Sequence, residues 1–188
     1  MRHEWVDRLS ELQSCREAVE WASDYESLEA AWVACERGDW MLCLLGRASG
    51  DRESPARRAL VLCACACART ALPFVRAGET RPLVAIETAE RWARGENGVT
   101  LDDVQRARRG AYAAADAVDY ANAAACAAFA AADAAADDVA YAVYAVAHAH
   151  AAADARARAL KSCADIVRQH YPTAPPIADT SHYDTPAQ

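Results

Sequence analysis

From Ala111 to Tyr171 the chain contains neither glycine nor proline, and 28 of the 49 residues between Ala111 and Ala159 are alanine. Alanine loses no rotamer entropy in a helix and buries no polar group of its own, so it is the best helix former. A tract of this kind excludes a β fold for the C-terminal third of the chain. Its charged residues before Arg156 are Asp116, Asp119, Asp133, Asp137, Asp138 and Asp154, with no lysine or arginine among them. The expected surface is long, smooth and acidic. One helix from Leu101 to Tyr171 would be roughly 105 Å long at 1.5 Å per residue. A compact domain of 188 residues cannot accommodate that, so a hairpin is expected. Asp137-Asp138 is the expected reversal, since aspartate favours N-caps and first turns. Val118, Asn122, Ala125 and Phe129 form one stripe before it, and Val139, Val143, Val146 and His150 another after it. Alanines at the facing positions allow close backbone approach.

The remaining chain reads as helices too. Trp5, Leu9, Leu12 and Val19 keep helical spacing from His3 to about Ser23. Ser23 with Glu26 resembles a capping box opening a second helix with Leu28, Trp32 and Cys35 on one face, which Gly38 would end as its C′ residue. Asp39 would cap the apolar segment Trp40 to Leu45, closed by Gly46. Hydrophobic all round, that segment is expected at the centre of the fold. Ser54-Pro55 has the N-cap and N1 pattern of a helix start, and Pro73 stops that helix after Leu72. Thr80 would cap a helix from Arg81 to Arg94, and Thr100 with Asp103 resembles a cap into the alanine-rich region. The expected architecture is all-α: a single multi-helix bundle over residues 1–171 with a long alanine-rich C-terminal helical hairpin. Pro172 ends the last helix and opens a Pro- and Thr-rich tail over 172–188 with little to bury.

Net charge is −7, which argues against nucleic acid and anionic membrane as direct partners and permits a basic protein. No apolar secretory stretch follows Met1. The longest uncharged run, Val139 to Ala153, is shorter than the roughly 20 residues needed to span a bilayer. A cytoplasmic location is expected, with its eight cysteines reduced.

Candidate chemistry is sparse. Cys63 and Cys67 share a helix face at i, i+4, but Cys65 points about 200° away, so the three thiols cannot converge on one zinc from this helix. Packed small hydrophobes are the expected role. A two-ligand contribution remains open, completed by His148, His150 or other cysteines. His148 and His150 lie on nearly opposite helix faces, with no Glu-x-x-His pattern nearby. Glu87 and Glu90 at i, i+3 could form an acid/base or metal pair. The competing reading is helix pairing, Glu87 with Arg91 and Glu90 with Arg94, at roughly 0.2–0.5 kcal/mol each. Nothing resembles a P-loop, nucleophile elbow or dinucleotide fingerprint. Neither an enzyme nor a cofactor is expected. Asp116, Asp119, Asp133, Asp137 and Asp138 either keep an alanine helix soluble, attract a basic partner or, least favoured, bind cations.

Three segments carry a family resemblance: Ala34-Cys35-Glu36-Arg37-Gly38-Asp39-Trp40-Met41 with Leu44-Leu45-Gly46, Cys65 to Pro73, and Ala85-Ile86-Glu87-Thr88-Ala89-Glu90-Arg91-Trp92-Ala93-Arg94-Gly95. They are similar to the immunity proteins of bacterial polymorphic toxin systems, specifically the immunity protein 5-like group, over roughly residues 30–172. The resemblance implies an all-helical, non-enzymatic protein that binds and neutralises a cognate toxin in the cytoplasm. Asp39, Trp40, Glu87, Glu90 and Trp92 match the family motifs, with a mainly structural role. The alternative is a helical adaptor or mobile-element protein that blocks a host defence factor, since both need only a complementary surface.

Overall fold

A computed structural model describes residues 4–12, 14–51, 53–75, 77–116 and 153–177. All regular elements among them are helical: α1 (Glu4–Glu11), α2 (Arg16–Ala22), α3 (Leu28–Ala34), α4 (Gly38–Ala48), α5 (Pro55–Arg69), a 3-10 turn (Leu72–Phe74), α6 (Arg81–Ala93), α7 (Leu101–Asp116) and α8 (Ala153–His170). The all-α fold class expected from sequence is the one observed. The alanine-rich hairpin, its reversal at Asp137-Asp138 and both of its stripes lie outside the described residues.

The hub is α5. Its N-terminus follows the expected chemistry, with Ser54 accepting from the Arg57 backbone N–H at 3.1 Å and Pro55 in the first turn. Leu60, Val61, Cys63, Ala64, Cys65, Cys67 and Ala68 are all buried, and together they wrap around the helix. The neighbours explain this: α6 packs on one side, α4 and α8 on the other, and α7 lies outside α6. The apolar segment Trp40 to Leu45 lies in α4 beside this hub and buries Met41, Leu42, Leu44 and Leu45, while Trp40 is only half-buried.

Small residues set the spacing between these helices. A Cβ on Gly38 would lie 2.7 Å from the Ala164 nitrogen and 2.7 Å from the Cys163 Cβ. Gly38 is therefore no C′ residue. It opens α4, and it is glycine because α4 crosses the backbone of α8 there. The Cys67 thiol meets the Cys163 carbonyl at 3.8 Å where α5 passes α8. Arginines then satisfy helix C-terminal carbonyls across the packing, a favourable place for a cation. Arg57 donates to Gly46 O (3.3 Å) in α4, Arg58 to Trp92 O (2.8 Å) in α6, and Arg168 to Cys35 O (2.6 Å) past α3.

Several local expectations shift. The helix expected over His3 to Ser23 is two helices, with Cys15 (φ −53°, ψ 130°) outside the helical region before α2. Ser23 is the C-cap of α2, and the cap of α3 is Ser27, whose hydroxyl accepts from Ala30 N. Asp39 is not a cap, because its carboxylate is taken by Arg37. Thr80 makes no side-chain cap; the Glu79 carboxylate receives the Arg81 N–H instead. Thr100 and Asp103 do form the reciprocal cap: each backbone N–H donates to the other's side chain. Residues 172–177, assigned by composition to the tail, run back along α3. There Ala174 N donates to Glu29 (2.9 Å), and Trp32 Nε1 donates to Tyr171 O (3.0 Å).

Candidate functional site

The motif residues Asp39 and Trp40 sit at a corner where α2, the end of α3 and the start of α4 meet. Asp39 is 7% exposed. A buried carboxylate must be paired, and Arg37 holds it with a two-pronged contact, Nε at 2.9 Å and Nη2 at 2.6 Å. That pairing lays the guanidinium over the Trp40 ring, 4.2 Å from its centroid, a cation–π contact worth about 0.5–2 kcal/mol. Trp40 in turn leans on Trp21 (centroids 5.8 Å apart), which leans on Tyr25 (4.7 Å). Since α2 supplies Trp21 and the turn after it Tyr25, the cluster is assembled from residues distant along the chain.

These side chains wall a surface cleft of about 370 Å³, completed by Ala34, Cys35 and Glu36. Burial pushes the Cys35 thiol above its ordinary range, so it presents no nucleophile. Trp21, Cys35 and Trp40 also border a partly open apolar pocket of about 50 Å³ between α1–α4.

Around this corner the chain is acidic. Residues 4–36 hold nine carboxylates and two arginines, a balance of −7 that equals the charge of the whole chain. All nine carboxylates are exposed. Glu36 lines the cleft and pairs with Lys161, and Glu17 lies within electrostatic reach of Arg37. The alanine-rich tract, whose aspartates lack counter-charges, is the acidic surface expected from sequence; the N-terminal concentration is separate from it. A running charge count along the chain would have found the N-terminal concentration.

No protein family, curated protein or solved structure matches the chain.

The other expected site residues are dispersed. Glu90, 8% exposed, accepts from Arg69 Nε at 2.7 Å and Nη2 at 2.9 Å, with Arg94 further off at 3.5 Å. The Arg69 guanidinium holds its carboxyl below the ordinary range. The expected Glu90–Arg94 pair exists, but its main partner comes from α5. The Glu87–Arg91 pair is replaced: Arg91 bonds to Glu96 at 2.8 Å, and Glu87 is exposed on α6. Trp92 is buried beneath Arg58, 4.7 Å from the ring centroid. Glu87, Glu90 and Trp92 thus gather near the α5–α6 packing, remote from the cleft in chain position and partners. Asp116 is the last residue of α7, while Asp119, Asp133, Asp137, Asp138, His148 and His150 lie outside the described residues.

Cys63, Cys65 and Cys67 are fully buried. Cys67 is hydrogen-bonded to the Cys163 and Cys63 thiols, which with burial raises its pKa well above the ordinary value; burial raises that of Cys65. Protonated, water-excluded thiols pack as small hydrophobes. Among the described residues no group of three or more His, Cys, Asp or Glu is arranged to hold a metal ion, and no helix is long and apolar enough to cross a membrane.

Proposed function

We propose that this chain is an immunity protein, acting by binding rather than catalysis, that neutralises a cognate basic protein toxin through an acidic helical surface. The observation that carries this reading is the set of nine exposed carboxylates on residues 4–36, facing only two arginines. A field of one sign steers an oppositely charged protein and repels nucleic acid. The resemblance of the Asp39-Trp40 and Glu87–Trp92 segments to the immunity protein 5-like group supports the same role. In the described part of the chain Glu90 and Trp92 tie α6 to α5 through Arg69 and Arg58, and Asp39 holds Arg37 over Trp40 at the start of α4, so these motif residues support the scaffold that presents the surface.

The test is co-expression with the toxin encoded beside the gene. Rescue of growth and a complex that survives size exclusion at low salt are expected, with affinity falling as salt rises. Absence of a complex at every ionic strength, with growth still arrested, would overturn the proposal.

A further inference from the structure

The outward face of α3 carries Ala30, Val33 and Ala34, all exposed, with Val33 at 62%. Positions i, i+3 and i+4 share one side of a helix; the opposite side buries Ala31 and Trp32. Ala34 is also a wall of the aromatic cleft, so the apolar strip adjoins the cleft. Its centre holds Trp21, Tyr25, Arg37 and Trp40, the residue types that dominate interface energetics. Its surroundings are acidic: Glu26 and Glu29 at the start of α3, Glu36 beyond its end, and Glu17 and Asp24 from α2 and the turn after it. An apolar centre with a charged rim is the anatomy of a protein interface.

The charge selects the occupant. A second copy meeting this surface symmetrically would set one acidic rim against another. Nucleic acid would be repelled. A basic protein segment fits both parts. We infer that the cleft of Trp21, Tyr25 and Trp40, with the Ala30–Val33–Ala34 strip, docks such a segment. An aliphatic or aromatic side chain of the segment seats on the rings, and its lysines or arginines meet Glu17 and Asp24. The identity of the partner rests on the proposed immunity role; the chemistry of the surface does not.

Two probes separate these: a synthetic peptide of alternating arginine and leucine, followed by fluorescence anisotropy, and the toxin encoded beside the gene. Val33→Arg is exposed enough to leave folding intact, and Tyr25→Ala removes an anchor without changing charge; unchanged thermal unfolding confirms that each is folded. Each is expected to weaken peptide binding about tenfold or more, the effect of losing a central contact. Glu87→Lys, exposed on α6, is expected to leave peptide binding nearly unchanged. Equal peptide binding by Val33→Arg and the parent chain overturns the inference, as does an equal loss on Glu87→Lys, which would mean diffuse attraction. If the toxin binds the parent chain and Val33→Arg alike, the surface is wrong and the immunity role stands. If the peptide maps to the cleft and the toxin does not bind, the surface stands and that role falls.

Discussion

Glu90 shows how a single carboxylate can join two helices. Its pKa is lowered in the folded state by Arg69, so its contribution to stability is complete above the ordinary value of 4.5 and is lost as pH falls through the lower folded value. Glu90→Gln is expected to destabilise the protein by about 1–3 kcal/mol at neutral pH. Urea titrations of both proteins should show that gap closing as the pH drops below about 4.5. The i, i+4 spacing made Glu90–Arg94 legible in the sequence. Arg69 lies on another helix, and no local spacing points to it. The cysteines were legible as packed thiols, and their reactivity should follow burial. Under native conditions a thiol reagent is expected to label the exposed Cys15, while Cys35, Cys63, Cys65, Cys67 and Cys163 react only on unfolding. Peptide mass spectrometry reads the order directly.

Among the elements, helix existence was easier to read than helix ends. Ser54-Pro55 and Thr100–Asp103 cap where the local chemistry says they should, because a cap is satisfied within one turn. Ser23, Asp39 and Thr80 make no side-chain cap for a different reason. Each is the right residue type, but Ser27 caps the next helix one turn after Ser23, Arg37 takes the Asp39 carboxylate, and Glu79 receives the N–H beside Thr80, which keeps only the N-cap position. Gly38 was read as a stop signal, yet it is a contact point between α4 and α8. Since the atoms a Cβ would strike are two backbone atoms of α8 and the Cβ of Cys163, none of them the end of a flexible side chain, Gly38→Ala must push the two helices apart. A loss of about 1–3 kcal/mol or more is expected in chemical denaturation, the range for an overpacked core.

In the whole molecule, charge is distributed unevenly, and this governs association. Residues 4–36 account for a balance of −7, and the rest of the chain is near neutrality. Binding of a basic partner should therefore slow markedly as salt rises past physiological strength, where the screening length is about 8 Å. Stopped-flow measurement should find the change mainly in the association rate, with dissociation little affected. An association rate insensitive to salt would place the contact away from the acidic helices. The acidic surface expected on Asp116, Asp119, Asp133, Asp137 and Asp138 lies at or beyond the edge of the described residues, and the N-terminal helices carry another. Nothing local marks the aromatic cleft: Trp21 lies on α2, Tyr25 in the turn after it and Trp40 in α4, and only packing brings the three rings together.

The sequence alone determined the helical class, the chemistry of two helix starts and the burial of the α5 thiols. These follow from propensity, capping and periodicity, which act within a few residues. Tertiary structure alone decided that Gly38 is a crossing point and that Arg69 holds Glu90. It also made Arg57, Arg58 and Arg168 the arginines that close the ends of neighbouring helices, and set Trp40 under Arg37 and against Trp21. Each of these joins groups brought together by packing, and packing depends on which helix faces meet, a quantity no single segment encodes.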